Sequence, residues 1–229
     1  MPCPELKRKH APSTKTNHRL VLDIDETMVY TVGAPDDDLK ELLTPGKYLD
    51  VRKRLYVITL SDGSHMWGVK RPYLSEFLKF AQDYFDEVIV WTAGTEDYAD
   101  AIVGVVFDPS EGIRPPAQVY SRKDCLRHGG ADTKPLSKIF DGERSATNTL
   151  MLDDRADYMQ FNLDNGIVVP KYSPRSDVES IRQCEFTLPT IMDWLETPDV
   201  RKSKDVRTLD KSRIVFSGGG GVGEESKEG

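Results

Sequence analysis

The sequence predicts an α/β fold with a central parallel sheet flanked by helices, and three observations carry that prediction. Short runs of large apolar residues, at 19–24, 87–92, 149–153 and 166–170, have the length and composition of strands buried on both faces. They alternate with segments whose apolar residues recur at helical spacing, the alternation that produces right-handed crossovers and parallel strands. Two of the runs end abruptly in paired acids, Asp23 with Asp25 and Asp153 with Asp154. Ligands of open α/β sheets bind outside the carboxyl ends of the strands, so both pairs fall where chemistry is expected.

Length and composition bound the rest. The 229 residues suffice for one domain with a sizeable core. With 38% hydrophobic and 30% charged residues and a formal charge of -7, the chain reads as a globular protein of acidic surface. That acidity argues against extended binding along a nucleic-acid backbone. Cys3, Cys125 and Cys184 are odd in number, far apart and without a Cys-x-x-Cys, so neither a disulfide framework nor a zinc site is expected. No stretch approaches the roughly 20 apolar residues that span a bilayer, and no apolar signal core is seen, so no membrane partner is expected. An intracellular monomer of the nucleus or cytoplasm is expected, with Lys7-Arg8-Lys9-His10 read as a solvated cluster rather than a nuclear address.

In order, residues 1–17 read as a disordered basic arm, 18–197 as the folded domain and 198–229 as a charged and glycine-rich tail. After the first strand, Asp36-Asp37-Asp38 can start a short helix through Leu39, Leu42 and Leu43. Leu55–Leu60 and His65–Val69 around Asp62-Gly63 read as a β-hairpin. Arg71-Pro72 breaks it, and Leu74, Phe77, Leu78, Ala81 and Phe85 mark a helix. Thr95 is the expected N-cap of the next helix, through Ala99, Ile102, Val103 and Val106. Residues 109–116 form a loop, and 118–120 a short strand. Residues 121–134 read as irregular, with Gly129-Gly130 opposing regular structure and Thr133 capping a short helix that has Pro135 in its first turn. Ser176 to Glu179 fits a capping box, and the last helix spans about 189–196. Ile214-Val215-Phe216 is the one apolar cluster of the expected tail.

In a parallel sheet Asp23, Asp25, Thr92, Asp153 and Asp154 all fall at strand C-termini and can converge. Four carboxylates close together repel and raise one another's pKa values unless a cation compensates. Oxygen-only ligands with no histidine nearby favour Mg²⁺. Thr92 has a second reading as a turn cap.

These residues resemble the four motifs of the haloacid dehalogenase superfamily of aspartate-nucleophile phosphotransferases. They are Leu22-Asp23-Ile24-Asp25-Glu26-Thr27, Val90-Trp91-Thr92-Ala93, Lys134 before Pro135-Leu136-Ser137, and Met151-Leu152-Asp153-Asp154. The Asp-x-Asp-Glu-Thr run, Val69-Lys70-Arg71-Pro72 entering a helix and Asp97-Tyr98-Ala99-Asp100 resemble more narrowly the small phosphatases of the RNA polymerase II C-terminal domain, the NLI-interacting-factor-like group. The group usually carries Asp-Asn at the fourth motif, where this chain has Asp153-Asp154.

The resemblance implies a Rossmann-like sheet and an aspartyl-phosphate mechanism. Asp23 would be the nucleophile and Asp25 the general acid and base. Thr92 and Lys134 would hold the phosphoryl oxygens. Mg²⁺ would be held by Asp23, the backbone carbonyl of Asp25 and Asp154, with Asp153 nearby. Lys123 competes with Lys134 on proximity, but only Lys134 precedes Pro-Leu-Ser; Arg114 and Arg122 have two readings, help in binding substrate and plain solvation. Superfamily members acting on small metabolites usually carry a cap domain, whereas here only a small β-hairpin insertion follows the first motif, so a capless site open to a phosphorylated protein or peptide is expected. The rivals are the same chemistry on a nucleotide or nucleic-acid 3′ phosphate, and a non-catalytic binding module on the same fold.

Overall fold

The computed structural model describes residues 3–6, 15–33, 42, 47–140 and 146–216. Strand β1 (Arg19–Leu22) is followed by β2 (Val29–Val32), helix α1 (Leu49–Arg52) and strands β3 (Leu55–Thr59) and β4 (His65–Lys70). Helix α2 (Leu74–Tyr84), β5 (Glu87–Trp91), α3 (Glu96–Val106) and β6 (Gln118–Tyr120) come next. Strands β7 (Leu126–His128), β8 (Ala131–Thr133), β9 (Thr149–Asp153) and β10 (Gly166–Val168) precede helices α4 (Val178–Arg182), α5 (Thr187–Leu195) and α6 (Pro198–Arg201).

β1 lies at the centre of a five-stranded sheet in the order β10-β9-β1-β5-β6. Every pairing in it is parallel, with Leu22 opposite both Val90 and Leu152. The period-2 alternation of a strand divides the core in two. Leu20, Leu22, Ile24, Val88, Val90, Leu150 and Leu152 face the amphipathic helices α2, α3 and α5 through Phe77, Leu78, Ile102, Ile191 and Leu195. Full burial of one such side chain is worth about 1.5–3 kcal/mol. Val21, Ile89, Trp91 and Met151 face the other way, onto Leu136 and Met159 from one-turn 3₁₀ segments. α2 holds no β-branched residue and ends where Phe85 turns extended, which returns the chain to the sheet as β5.

The hairpin insertion is larger than expected: β2 joins it, giving an antiparallel sheet in the order β2-β4-β3. Residues 121–134 are also more regular than expected. Gly129 and Gly130 both take positive φ and make the two-residue turn of a β7–β8 hairpin, a turn that demands such backbone. Thr133 ends β8 and donates to the Leu126 carbonyl (2.8 Å), so the expected short helix shrinks to one turn at Leu136–Lys138. Thr95 stands at its N-cap, yet its hydroxyl donates to Asp97 (2.8 Å). The expected capping box shifts by one residue, with Asp177 accepting from the Ser180 N–H (2.7 Å).

Both ends correct the composition-based reading where they are described. Cys3 and Cys184 form a disulfide across 181 residues, and the Pro4 carbonyl accepts from the Tyr73 hydroxyl (3.0 Å). Cysteine count and spacing cannot register such a long-range pairing. Cys125 is free. Residues 198–216, expected within the tail, fold back on the helical core, where Val200, Val206 and Ile214 are buried. Their apolar residues follow neither helical nor strand period, and Asp205 and Asp210 cap the one-turn 3₁₀ segments between them. The basic cluster 7–10, the glycine run 218–221 and the helix expected over 36–43, apart from a buried Leu42, lie outside the described residues. Among the described residues, no helix is long and apolar enough to cross a membrane.

Candidate active site

The site forms where three neighbouring strands end together. Asp23 continues β1 by donating its N–H to the Leu152 carbonyl (2.9 Å), which sets it beside Asp153 at the end of β9. Lys134 leaves β8 in an extended segment and inserts its ammonium between the two. Its Nζ lies 2.5 Å from Asp23 Oδ1 and 2.7 Å from Asp153 Oδ2. Burial opposes the Lys134 charge, but Asp23 and Asp153 outweigh it and push the pKa up, so the side chain is a fixed cation. Burial and then Asp23 raise the Asp153 carboxyl, with Lys134 opposing.

Glu26, in the left-handed region (φ 58), turns the chain back after Asp25, and the Met28 and Val29 N–H groups both donate to the Ile24 carbonyl. This turn presents Thr27, whose hydroxyl accepts from the Asp154 N–H (3.0 Å) and ties the two acid motifs together. Burial, Asp23 and Glu26 push the Asp154 carboxyl up to about 6. Carboxylate oxygens of Asp23, Asp153 and Asp154 lie within 4.8 Å of one another. Three oxygen donors with one ammonium between them leave an excess of negative charge, which suits a hard divalent cation. Asp153 has one oxygen on Lys134 and the other on the Arg155 N–H (2.9 Å), so Asp154 is the freer of the pair to ligate.

Thr92 is wholly buried at the end of β5. Its hydroxyl accepts from the Gly94 N–H (2.9 Å), as a turn cap does, and sits 3.3 Å from Asp25 Oδ2. Burial, reinforced by Asp23, pushes the Asp25 carboxyl up to about 6 against hydrogen bonds from Tyr98 and Thr92. Asp23, Asp25 and Asp154 line an open cleft of about 240 Å³ with Gly94, Arg122 and Arg155. A larger cleft of about 600 Å³, beneath Cys3–Glu5 and Arg54, contains none of these acids.

The structure thus brings together Asp23, Asp25, Thr92, Lys134, Asp153 and Asp154. Lys123 pairs instead with Glu96 on the surface. Arg122 is exposed and borders the cleft, with its Nε donating to the Ala93 carbonyl (2.6 Å). Two further residues escaped sequence reasoning, although both stand in the stretches that carry the resemblance. Tyr98 donates to Asp25 Oδ1 from the first turn of α3. Arg71, 2% exposed, holds the site's underside: it donates to Glu185 (2.7 Å) and to the carbonyls of Thr27 (2.9 Å) and Pro170 (2.6 Å). A buried Arg-Pro at a helix entry was its only local signal.

A family model for NLI interacting factor-like phosphatases matches residues 18–207, and the chain belongs to that family. CTD small phosphatase-like protein 3 of Caenorhabditis elegans is 27% identical over 192 residues, covering 82% of this chain and 60% of that protein. The human carboxy-terminal domain RNA polymerase II polypeptide A small phosphatase 2 is 28% identical over 153 residues, 67% of this chain and 49% of that protein. Nuclear envelope morphology protein 1 of Saccharomyces cerevisiae is 27% identical over 212 residues, 88% of this chain and 43% of that protein. The chain therefore spans between 43% and 60% of the length of these three relatives. The solved structure of the fission yeast RNA polymerase II CTD phosphatase Fcp1 bound to beryllium fluoride superposes with a TM-score of 0.56 at 26% identity, covering 69% of this chain and 42% of that one. The central parallel sheet with flanking helices is the haloacid dehalogenase fold of that phosphatase.

Proposed function

We propose that this family member is a Mg²⁺-dependent phosphatase that hydrolyses phosphoserine and phosphothreonine in proteins, the RNA polymerase II C-terminal domain or a similar segment among them, through an aspartyl-phosphate on Asp23. The observation that carries the reading is the convergence of Asp23, Asp25, Thr92 and Asp154 beyond the ends of three neighbouring strands, with Lys134 reaching in from beyond β8 and Asp23, Asp25 and Asp154 lining one cleft. A carboxylate oxygen of Asp23 attacks phosphorus as the ester P–O bond breaks, and Asp25 gives its proton to the departing oxygen. Asp25 then takes a proton from water, which attacks the phosphorus of the acyl phosphate and returns Asp23 with inorganic phosphate. Its carboxyl, raised to about 6, retains enough proton near neutrality for the first role and loses it readily for the second.

Lys134 and Thr92 hold the phosphoryl oxygens, and Asp153 orients Lys134. Asp23, the Asp25 backbone carbonyl and Asp154 would hold Mg²⁺, which would supply the positive charge that lets an anionic carboxylate meet an anionic phosphate. A protein substrate is favoured because no separate domain stands over the cleft among the described residues, and because two of the three relatives above carry the name of C-terminal-domain small phosphatases.

The deciding experiment is hydrolysis of p-nitrophenyl phosphate with and without Mg²⁺, with Asp23→Asn in parallel. Turnover that needs both the metal and Asp23 supports the mechanism; undiminished activity in Asp23→Asn sinks it, and silence in a folded protein moves the reading to a binding module. Phosphopeptides set against 3′-phosphorylated oligonucleotides then separate the two substrate classes.

A further inference from the structure

We infer that Tyr98, backed by Thr31 and Tyr56, is the positioning device for Asp25, and that the antiparallel insertion sheet exists in part to hold it. The inference rests on the reading of Asp25 as general acid and goes beyond it by assigning what aims that carboxyl. Tyr98 OH donates to Asp25 Oδ1, Thr31 Oγ1 lies 2.7 Å from Tyr98 OH, and Tyr56 OH lies 2.6 Å from Thr31 Oγ1. Each hydroxyl has a single proton to give. With the Tyr98 proton committed to Asp25, the Thr31 proton must go to the Tyr98 oxygen and the Tyr56 proton to Thr31. The chain therefore runs one way, from Tyr56 through Thr31 and Tyr98 to Asp25, every member donating toward the carboxyl.

The consequence is a distinction between the two oxygens of Asp25. Oδ1 is tied into the hydroxyl chain, whereas Oδ2 accepts only the longer bond from the Thr92 hydroxyl (3.3 Å), so Oδ2 is the oxygen freer to carry and deliver a proton. A carboxyl free to rotate would present either oxygen, and the chain removes that freedom.

The backbone is shaped to admit this arrangement. A Cβ at Gly68 would run into the Tyr56 ring and come within 2.7 Å of the Tyr30 carbonyl oxygen, so only glycine lets Tyr56 lie across β4 toward Thr31. A Cβ at Gly94 would stand 2.6 Å from Tyr98 Cδ1. Asp97, next to Tyr98, accepts from the N–H (3.2 Å) and hydroxyl (2.8 Å) of Ser61, which pins the β3–β4 turn to the start of α3. Thr31, Tyr56, Gly68 and Ser61 all belong to the insertion sheet or its turn.

The test uses the dependence of rate on the leaving group. A misaimed acid harms esters whose leaving oxygen needs a proton and spares those whose leaving group departs as an anion. Tyr98→Phe removes only the hydroxyl, and kcat/KM is measured across aryl phosphates from p-nitrophenyl to phenyl, extended to a phosphoserine peptide. Loss of a whole general acid costs about 10²–10⁴-fold. Its misorientation is expected to cost roughly 10-fold on phenyl phosphate and on the peptide but less than about threefold on p-nitrophenyl phosphate, a steeper leaving-group slope than wild type. Thr31→Val, which removes the donor behind Tyr98, is expected to shift the slope the same way by less.

Equal losses on all esters, or none, overturn the inference. If Tyr98→Phe fails to fold, Thr31→Val decides by the same slope, and an unchanged slope overturns it. Absence of Mg²⁺- and Asp23-dependent turnover in wild type is a different result, which removes the active-site reading itself.

Discussion

Lys134 and Arg71 are both almost wholly buried cations, 1% and 2% exposed, yet their surroundings are opposite in kind. Arg71 faces one carboxylate and a set of neutral acceptors: Glu185, the carbonyls of Thr27 and Pro170, and the Thr187 hydroxyl (3.2 Å). Its planar fork satisfies several at once, and its charge is balanced one to one. Lys134 touches two carboxylates, with Asp154 and Asp25 close behind, and the pKa values pushed up around it record the excess of negative charge. One buried cation completes a structure; the other leaves a deficit of positive charge that a metal ion can fill.

The comparison can be broken most sharply through activity. Lys134→Met is expected to lower turnover of p-nitrophenyl phosphate by about 10²–10³-fold, the cost of losing one preorganised partner of a developing charge. A variant that keeps more than about a tenth of wild-type kcat/KM would place the phosphate-binding charge elsewhere.

Arg71→Met is expected to act on the fold. Urea denaturation should show a loss of about 3–5 kcal/mol, because Glu185 and two carbonyls lose their partner inside the protein. The molecules that remain folded should still need Mg²⁺ for turnover. A loss below about 1 kcal/mol would show that the fork is dispensable and remove the contrast between the two cations.

A smaller effect sharpens the Arg71 side. Cys184 immediately precedes Glu185, so the disulfide to Cys3 anchors the segment that carries the Arg71 carboxylate. Reduction with dithiothreitol, or Cys184→Ser, is expected to cost about 2 kcal/mol and to lower Tm by several degrees. An unchanged Tm would mean that Arg71 alone holds this segment.

The smallest effect probes the charge deficit around Lys134. A carboxyl whose pKa is raised in the folded state binds its proton more tightly folded than unfolded. Its contribution to stability is therefore complete below about pH 4 and is lost as pH rises through about 6, the value of Asp154. Mg²⁺ must displace that proton, so the metal should raise Tm more at pH 7.5 than at pH 5, by about 1 kcal/mol in stabilisation. Equal shifts at both pH values, followed by differential scanning fluorimetry, would remove Asp154 from the ligand set.

Much of this was written locally. Buried strands and amphipathic helices have periods of 2 and 3.6, so Leu20–Leu22, Val88–Trp91 and Leu150–Leu152 announced the sheet, and its parallel order followed from their alternation with helices. Asp23, Asp25, Thr92, Asp153 and Asp154 were legible because each closes such a run, and Lys134 because of the residues that follow it. Tertiary structure alone decided the rest. The carbonyls that accept from Arg71 lie 44 and 99 residues away, Cys3 meets Cys184 across 181, and Tyr98 reaches Asp25 across 73. Val200, Val206 and Ile214 became core only because the folded sheet and helices offered them an apolar surface. Periodicity records which face of an element is buried; it carries no information about which distant group will be waiting there, since that depends on how all the elements close together.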